Sequence, residues 1–137
     1  MEMDDYFAPL HTRNGKLRRM REKLGRLRAS AESLGCLQME ADKIQTSHRN
    51  DKLSRLVSEI VDLEHEIEEM SRYNEVDRRE MIGEIEKLSD ERERDIIYYV
   101  YIGNMTLRAA SRKMGIGYSN AKKIHGRAKE NFLKNFM

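Results

Sequence analysis

The side chains with the most chemistry to offer gather near the C-terminus, in Thr106-Leu-Arg-Ala-Ala-Ser-Arg-Lys-Met-Gly-Ile-Gly-Tyr-Ser-Asn-Ala-Lys-Lys-Ile-His125. Ala110 and Met114 are spaced i, i+4 and share one face of a first helix. Gly115 follows at once and can turn the chain with a positive φ. Ile116 then points back inward, and Ala121 and Ile124 form the inner face of a second helix. Ser111 falls where two crossing helices come closest and only a small side chain fits. This spacing predicts a helix-turn-helix. On the second helix Tyr118, Ser119, Lys122, Lys123, Gly126 and Arg127 face outward, with no acid until Glu130. Cationic side chains neutralise phosphates, and short polar ones reach base edges, so such a helix suits a DNA major groove. The candidate DNA-binding residues are Thr106, Arg108, Arg112, Tyr118, Ser119, Asn120, Lys122, Lys123 and Arg127. A small helical hairpin with a solvated face would show the same pattern.

Other chemistry is poorly served. His65 and Glu69 share a helix face, with Asp62 one turn back, but a bundle metal site needs further carboxylate and histidine ligands on a facing helix. The basic first helix supplies none, so no metal or cofactor is expected. Cys36 has no histidine partner in prospect and reads as a partly buried structural thiol. No P-loop or Gly-rich dinucleotide motif is present. His125 is placed on the inner edge of the second helix as a packing residue. Tyr98, Tyr99 and Tyr101 surround an apolar face and read as core or rim. The chain is therefore not expected to be an enzyme.

The elements that must position the basic face are all helical. Charged residues make up 36% and hydrophobic residues 39% of the 137, with one proline and no tryptophan, which fits a charge-rich helical protein rather than a disordered one. The formal net charge of +2 conceals an alternation. Residues 13–28 hold eight bases and one acid, residues 59–95 fifteen acids and six bases, and residues 105–134 eight bases and one acid. No run approaches the ~18 apolar residues of a membrane span, and no N-terminal apolar segment resembles a signal peptide. With a single cysteine, these features predict a cytoplasmic protein with no membrane partner.

Leu17, Met20, Leu24, Leu27, Ala31 and Leu34 recur at alternating spacings of three and four, and Leu37, Ala41 and Ile44 continue the stripe. They predict a helix over about 13–45. After a polar break at 45–51, Leu53, Leu56, Ile60, Leu63, Ile67 and Met70 repeat the pattern, resumed by Met81, Ile85 and Leu88. The matching stripes predict an antiparallel hairpin or coiled coil over 13–88. A loop centred near residue 48 would set Leu34 against Asp62 and Leu63, and Leu17 against Arg79. The same stripes could pair between chains, and a homodimer through the coiled coil is expected because Val57 and Val61 would otherwise stay exposed. Residues 1–12 read as a tail. Ser89 or Asp90 caps a third helix carrying Ile96, Ile97, Val100 and Tyr101, Gly103-Asn104 ends it, and Thr106 caps the next. Residues 89–137 then form a three-helix unit ending in a helix over about 118–132. The fold expected is all-α.

Leu88 to Ile102, Thr106 to Met114 and Gly115 to Arg127 resemble region 4 of bacterial sigma factors. The whole chain is similar to a family encoded by phages and prophages of Gram-positive bacteria, with an N-terminal coiled coil and a sigma-region-4-like C-terminus. That resemblance rests on Ile60-Val-Asp-Leu-Glu-His-Glu-Ile67, on the spaced acids up to Leu88 and on Lys123-Ile-His-Gly-Arg-Ala128, and covers about residues 43–133. It implies double-stranded DNA as a partner, RNA polymerase as a second one, and a role in regulating late phage genes. Ala109-Ala110-Ser111 stands where the sigma pattern has Glu-Ile-Ala, Gly117 where a capping Ser is usual, and Asn120-Ala121 where Thr-Val is usual. No sigma region 2 is present. Two functions fit: a sequence-specific DNA-binding transcription regulator, or an adaptor that contacts polymerase or another regulator without reading DNA.

Overall fold

The computed structural model describes residues 2–40 and 46–136, and the side chains of 2–35 and 48–136. Every described element is helical: α1 (Met3–Glu40), α2 (Thr46–Glu86), α3 (Glu91–Ile97), a π-helical turn (Tyr98–Ile102), α4 (Leu107–Met114) and α5 (Tyr118–Lys134). They divide into two units, Arg13–Tyr73 and Met1–Thr12 together with Asn74–Met137.

In the unit 13–73 the two apolar stripes meet within one chain. Met20, Leu24 and Leu63 are buried, with Leu27, Ile60, Ile67 and Met70 packed against them. Arg28 donates to Glu64 at 2.9 Å and Arg21 to Ser71 at 3.4 Å, so the helices run antiparallel. These contacts correct the expected register. Leu34 shares a cleft with Lys52 and Leu56, not with Asp62 and Leu63. Residues Thr46–Asp51, expected in a polar break, already belong to α2. The earlier helical start moves the hairpin's centre toward the N-terminus and slides Leu34 along α2 by roughly two turns. The expected continuation of the stripe over Leu37, Ala41 and Ile44, and the state of the Cys36 thiol, lie outside the described side chains.

The second unit contains a surprise at the N-terminus. Residues 1–12, expected as a tail, are helical from Met3, and Met3, Phe7 and Leu10 are buried at 3%, 0% and 1% exposure. They join Met81, Ile85, Leu88, Ile96, Ile97, Tyr101, Ala121, Ile124, Ala128 and Phe132 in one core. The physical reason is area: short helices of seven, eight and seventeen residues expose apolar faces that need a further layer. Met3, Phe7 and Leu10 repeat the same three-and-four spacing as the Leu17 stripe. Met81, Ile85 and Leu88, expected as coiled-coil positions, belong to this core as well.

Local chemistry explains the element boundaries. Asp90 accepts from the N–H groups of Arg92 at 2.8 Å and Glu93 at 3.4 Å, capping α3, and Glu91 and Glu93 complement its dipole. The π turn closes with Gly103 N–H donating to the Tyr98 carbonyl at 2.9 Å. A Cβ at Gly103 would stand 2.7 Å from the Tyr99 carbonyl oxygen, so only glycine fits this close approach. Asn104 then takes the positive φ, 54°, that turns the chain.

Candidate nucleic-acid interface

α4 and α5 carry the candidate residues, and their junction is built as the spacing predicts. Thr106 caps α4 by accepting from Ala109 N–H at 3.1 Å. Gly115 has φ 69° and ψ 31°. Its N–H reaches the Arg112 carbonyl at 3.2 Å, and Ile116 N–H reaches the Ser111 carbonyl at 3.0 Å. This pair of bonds is a Schellman motif, which satisfies the last carbonyls of α4 while reversing the chain. Ala110 and Ser111 are buried, and the Ser111 hydroxyl donates back to the Arg108 carbonyl at 2.7 Å. α5 opens at Gly117, which offers no side-chain cap, and buries Ala121, Ile124, Ala128 and Phe132. α5 packs on both α3 and α4.

With the inner face of α5 so fixed, its helical pitch sets the outer one. Ser119, Lys122, Lys123 and Gly126 centre on the exposed face, with Asn120 and Arg127 on one flank and Tyr118 on the other. All six of Ser119, Asn120, Lys122, Lys123, Gly126 and Arg127 are exposed, as are Thr106, Arg108 and Arg112 on the α4 side.

Three candidates come together. The Tyr118 ring lies between two cations, with Arg108 Cζ 4.3 Å and Lys122 Nζ 4.6 Å from its centroid. Arg112 completes a cleft of about 380 Å³ with Arg108, Ser111, Ile116 and Tyr118. Cation–π contacts of this kind hold the long side chains of Arg108 and Lys122 over one plane while leaving their N–H groups to solvent. Thr106 differs from the rest, because its hydroxyl oxygen is engaged in the cap. The sequence signalled only half of the Tyr118 cluster: Tyr118 and Lys122 are i, i+4 on one helix, whereas Arg108 reaches it across the turn.

Behind this face, α5 is anchored by polar contacts that the sequence did not specify. Tyr101 Oη and His125 Nε2 are 3.0 Å apart, and the two rings stack at 5.8 Å. Burial, with a smaller contribution from Asp4, pushes the Tyr101 phenol up to about 12. Burial and then Lys129 hold His125 below the ordinary 6.5, against an opposing pull from Asp4. A protonated phenol donating to a neutral imidazole is the arrangement both shifts favour. Nearby, buried Glu93 accepts from Asn131 Nδ2 at 3.1 and 3.0 Å through its two oxygens, tying α3 to α5.

His65 and Glu69 are exposed on α2, and no group of three or more metal-ligating side chains is gathered among the described residues. No described helix is long and apolar enough to cross a membrane. No protein-family model matches the chain, and neither a curated protein nor a solved structure matches it at a significant level.

Proposed function

We propose that the protein is a sequence-specific, DNA-binding transcription regulator, and that α4, the Gly115 turn and α5 act as a helix-turn-helix with α5 in the major groove. The observation that carries this reading is the set of exposed cations on the two helices, Arg108 and Arg112 on α4 and Lys122, Lys123 and Arg127 on α5, with no carboxylate on the outer face of α5 before Glu130. In this reading those five groups bind phosphates, and Ser119 and Asn120 meet base edges. Tyr118 serves as the strut that orients Arg108 and Lys122.

The helices of 89–137 then correspond to sigma region 4, and the chain to the phage and prophage family it resembles, with RNA polymerase as a further partner. The helix pair 13–73 acts as a coiled coil that joins two chains, because helix-turn-helix operators are commonly read by paired units. Selection of bound duplexes from a random pool by the purified full chain tests the reading. Enrichment of one sequence, with binding that weakens steeply as salt rises, is expected. Recovery of unenriched duplexes would remove the claim of specificity, and capture of RNA polymerase with no DNA affinity would favour the adaptor.

A further inference from the structure

α5 carries two amide side chains, and the structure treats them oppositely. Asn131 is held by both oxygens of buried Glu93, at 3.1 and 3.0 Å, and has a structural task. Asn120, in the first turn, is exposed, and its amide makes no hydrogen bond among the described residues. A side chain three positions past an N-cap can reach back to the cap N–H, and Asn120 does not. Asn is also a poorer helix former than Ala, so neither packing nor propensity explains the residue. Its polar neighbours are engaged or less selective. The Thr106 hydroxyl oxygen accepts from Ala109 N–H, and the Tyr118 ring lies between Arg108 and Lys122. Ser119 offers one hydroxyl. Along the flank of Asn120, Lys123 and Arg127 follow at i+3 and i+7, both exposed.

We infer that Asn120 is the specificity-determining residue of α5, and that it reads one adenine. The inference rests on the major-groove reading above and names the base. The first turn of a recognition helix is the part that meets base edges. Each base there asks for a different partner. The amino group of cytosine calls for a carboxylate, and the outer face of α5 has none before Glu130. Guanine shows two acceptors and is read by paired donors on Arg or Lys. Adenine shows an acceptor, N7, beside a donor, N6. An amide matches that pair, with Asn120 Nδ2 donating to N7 and Oδ1 accepting from N6. A serine hydroxyl pairs with either kind of group, so Ser119 discriminates little. Lys123 and Arg127 carry charge without an acceptor and hold the phosphate backbone on the same flank. Affinity and preference are thereby separated: the cations supply the first and the amide the second.

Selection of duplexes from a random pool by the full-length wild type and by Asn120→Ala tests this. The wild type should enrich a sequence with a fixed adenine. Asn120→Ala should lose preference at that base pair alone and bind the wild-type duplex about tenfold or more weakly. Its salt slope should equal that of the wild type, because no phosphate contact is removed, and it should melt no earlier. An adenine analogue lacking N7, placed at the fixed position, should weaken the wild type and leave Asn120→Ala unaffected. A variant that keeps every wild-type preference, a lost position that is G·C, or a wild type indifferent to the analogue would each overturn the inference while leaving the DNA-binding reading intact. A shallower salt slope in Asn120→Ala would also overturn it, by placing the amide on the backbone. A wild type that enriches no sequence would sink the functional reading and this assignment with it.

Discussion

Gly115 and His125 make opposite demands on what a sequence discloses. A glycine directly after a helical stripe announces its own conformation, and Gly115 does hold the left-handed φ that the spacing predicts. Gly115→Val meets no steric neighbour, since a Cβ there has open space, so its cost is conformational: on the order of 1–3 kcal/mol for a β-branched residue at that φ. Thermal unfolding followed by circular dichroism should show the unit 74–137 melting earlier, and an unaltered melt would place the turn elsewhere. His125 reads from sequence only as a packing residue, because its partner Tyr101 lies 24 residues away and no local spacing links them. Its chemistry makes a pH prediction. A histidine held below 6.5 binds a proton less readily folded than unfolded, so stability is full above about 6.5 and falls as pH drops below it. The melting temperature should therefore decline between about pH 7 and 5.5, before most carboxylates titrate. His125→Gln, which keeps an acceptor for Tyr101, should flatten that decline, and an equal slope in both proteins would remove His125 as its source.

Helices were legible as helices, and their partners much less so. The stripes of α1 and α2 and the caps at Asp90 and Thr106 are written in side-chain types and are found where expected. The register was not, because seams of period three and four tolerate a slip of whole turns, and the weak helix propensity of the polar residues at 46–51 is overridden as they extend α2. The largest omission is the first turns of α1. Pro9 lies inside the helix, and an interior proline argues against one, so the Met3, Phe7, Leu10 repeat is easily passed over. The structure makes those turns part of the core beneath α5: the Phe7 ring stacks on Tyr101 at 5.0 Å and meets Phe132 at 5.8 Å. Phe7→Ala should cost about 3–5 kcal/mol and lower the melting temperature of the same unit that Gly115→Val affects. If instead the melt is unchanged, the N-terminal turns are not an integral layer of that core.

Across the whole molecule, near-neutral net charge hides a division of labour between a basic C-terminal face and a helix pair that is basic on one helix and acidic on the other. The face was legible because outward positions on a helix follow from inward ones, and Ala121, Ile124 and Ala128 are unmistakably inward. Clustering across the turn, as in Arg108 over Tyr118, needs coordinates. Whether that face binds DNA is the central claim, and the salt dependence of affinity for a selected duplex tests it most directly. Each phosphate contact adds about 0.9 to the slope of log affinity against log salt. The five cations of the face predict a slope near −4 to −5, and Lys122→Ala with Lys123→Ala should make it shallower by about two units while the melting temperature holds. A double variant whose slope equals that of the wild type would contradict the account, because α5 would then not lie against the DNA backbone.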